Sequence, residues 1–354
     1  MTQPDFAIAG RRIAADASPY IIAELSANHL GGIDRAFAIM EAAKASGADA
    51  VKIQTYTADT ITLDVDGPGF TIEGGPWHGR RLHDLYQEAH TPWDWHPALF
   101  AKGRELGITV FSSPFDFTAV DLLESLDAPA YKIASFEIVD LPLIERCAAT
   151  GKPMIMSTGM ADFSEVETAV AAARRGGCRD LVLLHCISGY PTPPEDMNLN
   201  TIPELARRFS VVPGLSDHTL GISASIASIA LGARVIEKHV TMRRADGGPD
   251  AFFSLEPEEL TQLCRSTAEA WAALGKVRLE PSPSEKPNLI FRRSLYVTAD
   301  IPAGGIFEAG NVRSVRPALG LPPADLHRIL GRHAARAVTR GTPLSWDLVD
   351  GGKP

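Results

Sequence analysis

Cysteine is scarce in this chain, with four in 354 residues, at Cys147, Cys178, Cys186 and Cys264. They form neither a C-x-x-C pair nor a zinc-ribbon spacing, so a reduced, disulfide-free chain of the cytoplasm is the expectation. Basic residues are too few for a nucleic-acid partner: 34 Lys and Arg stand against 43 Asp and Glu, a net charge of −9, whereas phosphate neutralisation needs clustered cations. An acidic surface also does nothing to attract an anionic membrane. No apolar run approaches the roughly 18 residues of a membrane span. The opening "MTQPDFAIAGRRIAAD" lacks the basic segment and apolar core of a secretory signal.

What is present is apolar material for one large domain and a small one, at 45% hydrophobic and 22% charged residues. "FAIAGRRIA" reads as a small hairpin about Gly10. After it, Val/Ile-rich runs alternate with helix-period stretches such as "DRAFAIMEAAKASG" and "SEVETAVAAARRGG". The expected strands are Tyr20 to Ser26, Ala50 to Tyr56, Ile108 to Ser113, Ala130 to Ser135, Met154 to Thr158, Leu181 to Cys186, Val211 to Ser216 and Val235 to Val240. Eight β/α units match a (β/α)8 barrel better than a doubly wound sheet. The reading places this barrel at 1–278, a Pro/Ser-rich linker at 279–289 and a small mostly β domain at 290–354. The longest insertion, Thr57 to His90, follows the second strand, where a barrel's βα loop lies on the active face, and is expected to cover a substrate.

Within "VIEKHV", Val235 to Val240, three ionisable residues interrupt a run of Val and Ile. Such groups are seldom buried without partners. The other strand ends behave alike: Glu24, Lys52 and Gln54, Ser112 and Ser113, Lys132 with Ser135 and Glu137, Ser157, His185, then Ser216 with Asp217 and His218. In a barrel these ends converge on one site. Singly, each has an ordinary explanation. Ser157 would cap a helix, His185 would pack, and Lys52 or Lys132 would snorkel. Jointly, lysines and hydroxyls suit a phosphate or carboxylate ligand. His218 and His239 close adjacent strands and could share an open divalent ion, since two histidines are too few for a closed zinc site. A hydrogen-bonded histidine pair without metal is the alternative. Glu237 and Lys238 are expected either to pair with each other or to support the site.

The ordered motifs "AELSANH", "ADAVKIQTYTADT", "FSSPFD", "YKIASFE", "STGM", "LLHCISGYPTP", "GLSDHTLG", "VIEKHVT", "GGPDAFFSL" and "RRSLYV" resemble the sialic acid synthase family along nearly the whole chain. Leu25-Ser26, "TPWDWHPALF" and "YKIASFE" are most similar to its pseudaminic branch. The resemblance implies a barrel followed by an antifreeze-like (SAF) domain, in a domain-swapped homodimer. It also implies condensation of phosphoenolpyruvate (PEP) with an open-chain amino-sugar aldehyde, aided by a divalent metal, Mn2+ first and Mg2+ or Co2+ as alternatives. By motif position, Lys52, Ser113, Lys132, Ser135, Ser157 and Ser216 would hold PEP. His218 and His239 would bind the metal, with Glu137 near its water. Gln54, Ser188, Tyr190 and Asp250 would contact the sugar, and Arg316 would come from the other subunit. Glu24 is the candidate base. Ser188 stands where the N-acetylneuraminate branch carries Asn, which implies a different sugar contact. Legionaminic or N-acetylneuraminic precursors, a metal-dependent aldolase or hydrolase, and a non-catalytic carbohydrate-binding protein are the rival readings.

Overall fold

A computed structural model describes residues 5–354; residues 1–4, which the barrel assignment above includes, lie outside it. The chain divides into two compact units, Met1–Gly275 and Lys276–Pro354.

The first unit opens with an antiparallel hairpin, β1 (Phe6–Ile8) and β2 (Arg11–Ile13). Eight parallel strands follow: β3 (Tyr20–Glu24), β4 (Ala50–Thr55), β5 (Thr109–Pro114), β6 (Tyr131–Ile133), β7 (Met154–Ser157), β8 (Leu181–Cys186), β9 (Val212–Asp217) and β10 (Val235–His239). They pair in sequence order and close through β10 against β3, which makes the unit a (β/α)8 TIM barrel. Helices form between the strands where the apolar period is 3.6. The helix Phe163–Arg175, for instance, is started by a capping box of Asp162 and Glu165, and it buries Val166, Ala169, Val170 and Ala173. The helix Thr201–Phe209, between β8 and β9, is not among the periodic stretches anticipated from sequence; it buries only Ile202 and Leu205.

Strand side chains alternate between two environments. One phase packs outward against the helices; the other fills the interior. The interior cluster contains Tyr20, Ile22, Ala50, Phe111, Ala130, Ile155, Val182, Leu184, Val212 and Val235, and the hairpin's Phe6, Ile8 and Ile13 pack with it. These residues sit at the entry halves of their strands. Gly214 belongs to the same phase, and a Cβ there would come within 2.4 Å of Leu184 Cδ2 and of the Val235 carbonyl. Two expected strands, Tyr20 to Ser26 and Ala130 to Ser135, end two residues earlier than anticipated. Ser26–His29 and Ser135–Val139 are 3-10 turns, because the chain leaves the barrel there to start its βα loops.

The second unit pairs β11 (Ser294–Val297) antiparallel with β12 (Val312–Val315). It has its own core, including Leu295, Val297, Phe307, Val312, Ile329 and Leu344. Arg316, exposed, directly follows β12.

Candidate active site

Continuing each interior-facing row past its apolar residues leads to the exit end of the barrel, and the row becomes polar. Tyr20 and Ile22 are followed by Glu24, Ala50 by Lys52 and Gln54, Phe111 by Ser113, and Ala130 by Lys132. Ile155 is followed by Ser157, Leu184 by Cys186, Val212 and Gly214 by Ser216, and Val235 by Glu237 and His239. The same two-residue period that fills the barrel floor therefore lifts these groups to its mouth. A cavity of about 560 Å3 opens above them. Its surface includes Lys52, Gln54, Lys132, Ser135, Glu137, Ser157, Tyr190, Ser216, His218, His239 and Asp250. Of the other residues proposed from sequence, Glu24 and Ser113 lie just beneath, each in contact with Lys52. Ser188 stands beside Cys186, Oγ to Sγ 4.0 Å, and Arg316 belongs to the second unit.

At the centre is a cluster of two lysines and two glutamates. Lys52 Nζ lies 2.7 Å from Glu24 Oε2 and 3.6 Å from Glu237 Oε1, and Lys132 Nζ is also 3.6 Å from Glu237 Oε1. All four side chains are buried. Burial would raise Glu237, but Lys132 and Lys52 more than offset it and hold its pKa below the usual value. Burial raises Glu24, only partly countered by Lys52 and reinforced by Glu237. Burial lowers Lys132, with Glu237 opposing. Burial also pulls Lys52 down, yet Glu237 and Glu24 together leave it raised. The cluster thus favours the cation at Lys52 and biases the Glu24 carboxyl toward its neutral form.

Hydroxyls and a second carboxylate surround this centre. Ser157 Oγ and Glu137 Oε2 are buried with no hydrogen-bond partner. Burial, against the pull of Lys132, pushes Glu137 up to about 7. Gln54 Nε2 donates to Glu24 Oε1 at 3.1 Å and to Ser26 Oγ at 3.3 Å, and Ser26 Oγ donates to Asp250. Burial raises Asp250 despite that bond. Ser26, Tyr56 and Trp77 line the cavity without having been named as site residues from sequence, and Glu237, expected to pair or to support the site, lines it too. Glu237 was legible, because it shares the phase of His239 and not that of Lys238.

In "VIEKHV" the alternation excludes the first of the two expectations, that Glu237 and Lys238 pair with each other, and leaves Glu237 to support the site. Neighbours on one strand point to opposite faces. Glu237 faces the interior lysines, while Lys238 pairs outside with Asp217, Nζ to Oδ2 3.0 Å, and donates to the Thr219 carbonyl at 2.6 Å. Two other groups from the strand-end row also belong to the outer phase. Ser112 bonds Thr55 at 2.6 Å, and His185 packs with Nε2 2.5 Å from the Met197 carbonyl.

His218 and His239 do meet, with ring centroids 5.4 Å apart. His218 Nδ1 lies 2.9 Å from the Ile187 carbonyl, a bond in which the imidazole is the donor, leaving Nε2 as its lone-pair nitrogen. His239 Nδ1 is buried without a partner, and burial followed by His218 holds its pKa well below the ordinary value, so that ring is neutral. Two imidazoles with orphaned capacity fit an open divalent-ion site. Among the described residues no group of three or more His, Cys, Asp and Glu is placed to hold an ion, so water and substrate oxygens would complete the shell.

The 57–90 insertion supplies the remaining wall. A short antiparallel tongue, bridged at Thr71 and Arg81, leads into the helix Leu82–Ala89. Leu82, Leu85, Tyr86 and Ala89 recur at helical spacing along one face, and all four line the cavity with Ile61, Ile72 and Trp77. That stripe was present in the sequence and would have identified them. The Trp77 indole donates to the Pro249 carbonyl at 3.1 Å, and its ring is 5.5 Å from Tyr190.

A TIM barrel carrying buried lysines, an unpaired serine hydroxyl and two imidazoles at its strand exits has the constitution of an enzyme that works on an anionic substrate. By sequence the chain belongs to the NeuB family, whose model matches residues 39–278, and a SAF domain model matches residues 292–350. It is 43% identical to the pseudaminic acid synthase of Campylobacter jejuni, over 93% of this chain and 96% of that one. It is also 43% identical to the pseudaminic acid synthase of Helicobacter pylori, over 94% and 98%. The crystal structure of a Leptospira borgpetersenii N-acetylneuraminic acid (sialic acid) synthetase, in complex with citrate, superposes with a TM-score of 0.73. It is 30% identical and covers 81% of this chain and 95% of that one.

Proposed function

We propose that this protein is a pseudaminic acid synthase. It condenses PEP with a 2,4-diacetamido-2,4,6-trideoxy hexose of the L-altrose type, giving a nine-carbon 2-keto sugar acid and inorganic phosphate. The single observation that carries the reading is the buried group of Lys52, Lys132 and the unpartnered Ser157 hydroxyl at the barrel mouth, in a chain 43% identical to such synthases.

In this reading Lys52 and Lys132 neutralise the phosphate and carboxylate of PEP, and Ser135, Ser157 and Ser216 donate hydrogen bonds to them. The methylene carbon of PEP attacks the aldehyde carbon, and water adds to the carbon bearing phosphate. Loss of phosphate by C–O cleavage follows. Glu137, pushed up to about 7, is the group able to take and return the water's protons near neutral pH, and Glu24, whose burial also raises its pKa, is the second carboxyl at hand. Gln54, Ser188, Tyr190 and Asp250 orient the sugar. A divalent ion, Mn2+ by expectation, held by His218 and His239 would supply Lewis-acid polarisation of the aldehyde oxygen. Holding two reactants in register is itself a large part of the acceleration.

The protein acts as a homodimer in the cytoplasm, with Arg316 of one copy completing the sugar site of the other. The resemblance to the family supports this arrangement, as does the exposure of Arg316. Incubation with PEP, Mn2+ and each aldehyde sugar, with phosphate release as the readout, tests the whole. Release with the diacetamido trideoxy sugar is expected, and activity confined to N-acetylmannosamine would overturn the pseudaminic assignment.

A further inference from the structure

The cavity has two walls of different chemistry. Its charged groups stand on the barrel strands or the loops directly after them. The 57–90 insertion presents instead Ile72, Trp77, Leu82, Leu85, Tyr86 and Ala89. The insertion is not poor in charge. Several of its ionic and polar residues pair with one another on the outer face: Arg80 with Glu88 at 2.6 Å, Arg81 with Asp64 at 2.6 Å, and the His83 imidazole with Asp59 at 3.1 Å. The exposed positions of Asp59, Asp64 and Glu88 mark that face. An insertion that sorts its residues in this way offers a substrate contact area and almost no hydrogen bonds. The Trp77 N–H is already engaged by the Pro249 carbonyl, which leaves the Tyr86 hydroxyl as that wall's free polar group.

We propose that this wall is the specificity element of the sugar site: it packs against the methyl of a 6-deoxy carbon and against acetamido methyls, and it selects against hexose aldehydes that keep a 6-hydroxyl. The inference rests on the proposed function. A methyl group against these side chains stays out of water, whereas a hydroxyl in its place loses its solvent partners and finds on this wall at most the Tyr86 hydroxyl in exchange. A pocket of this kind discriminates by roughly 10- to 100-fold. The strand-end lysines and serines, which hold PEP, do not enter this choice.

The test uses two aldehydes that differ only at C6, the 2,4-diacetamido-2,4,6-trideoxy hexose and its 6-hydroxy counterpart, with PEP-dependent phosphate release measured for each. The full-length protein is expected to favour the deoxy sugar by about 10- to 100-fold in kcat/KM. In Ile72→Ser and Leu82→Ser, both half-buried cavity positions, that ratio is expected to fall toward one. The KM for sugar should rise while the KM for PEP is unchanged. Because the ratio is measured on one preparation, it does not depend on the folded fraction. Equal use of both sugars by the unaltered protein, or an unchanged ratio in both variants, would overturn the inference and leave the proposed function standing. No phosphate release from either sugar would overturn both.

Discussion

Lys238 and Asp217 form a buried ion pair, Nζ to Oδ2 3.0 Å, between the exit ends of adjacent strands β10 and β9. Each partner directly precedes one of the two cavity histidines, His239 and His218. Asp217 also accepts from the Thr219 amide at 2.9 Å, the Thr219 hydroxyl at 2.8 Å and the Ser225 hydroxyl at 2.6 Å. The pair works as a clasp on the outside of the barrel, and the histidines it spaces point inside.

Opening that clasp is expected to be costly. Lys238→Met leaves Asp217 buried without its cation, which destabilises by about 3 kcal/mol. Chemical denaturation measures this, and a double variant with Asp217→Leu should recover part of the loss. A Lys238→Met protein as stable as the parent would show that the neutral donors alone satisfy Asp217.

Removing an inward lysine acts on ligand binding. Lys52→Ala or Lys132→Ala deletes a charge-assisted contact to the bound anion, an expected loss of about 1.5–3 kcal/mol, or roughly 10- to 150-fold in PEP affinity. Calorimetric titration with PEP reads this directly. Undiminished affinity in both variants would remove the anion site from the barrel mouth.

The raised pKa of Glu137 gives stability a sign with pH. Its value of about 7 in the fold exceeds the ordinary 4.5, so between these pH values the folded state binds more protons than the unfolded one. Stability from this group is therefore present below pH 4.5 and is lost as pH rises through 7. Glu137→Gln removes the cost. The variant should be more stable than the parent at pH 8 by up to about 3 kcal/mol, less for the solvent that reaches this half-buried side chain, with the gap closing by pH 5. Paired denaturation curves at the two pH values check it, and a gap independent of pH would contradict the shift.

The imidazole pair is tested by metal binding itself. Mn2+ is expected to bind the parent in calorimetric titration and to raise its melting temperature, and His239→Ala should abolish both effects. Burial would lower His218, but Cys186 and the Ile187 carbonyl leave its pKa raised, so a proton competes with the ion and affinity should fall as pH falls. Mn2+ binding that survives His239→Ala unchanged would place the ion elsewhere.

Much of this was legible in the order of residues. Val/Ile-rich runs of five to seven residues separated by amphipathic segments marked the eight barrel strands, because each local period matches one kind of buried surface. The polar residues ending those runs marked the cavity, because parallel strands in a barrel all exit on one face. The helical stripe Leu82, Leu85, Tyr86 and Ala89 is equally visible in the sequence, but it lies in the periodicity of the insertion and not in its length.

The chain's own sequence determined that eight strands would end in lysine, serine, glutamate and histidine, since periodicity and composition are local properties. Only the tertiary structure decided which of those ends face one another. Lys52 takes Glu24 from the preceding strand and Glu237 from the last strand of the barrel as partners, and Lys238 is turned outward to Asp217. Closure of the sheet sets the facing positions, and electrostatic interaction falls off with distance in space, so no separation along the chain could have assigned the charges to their pairs.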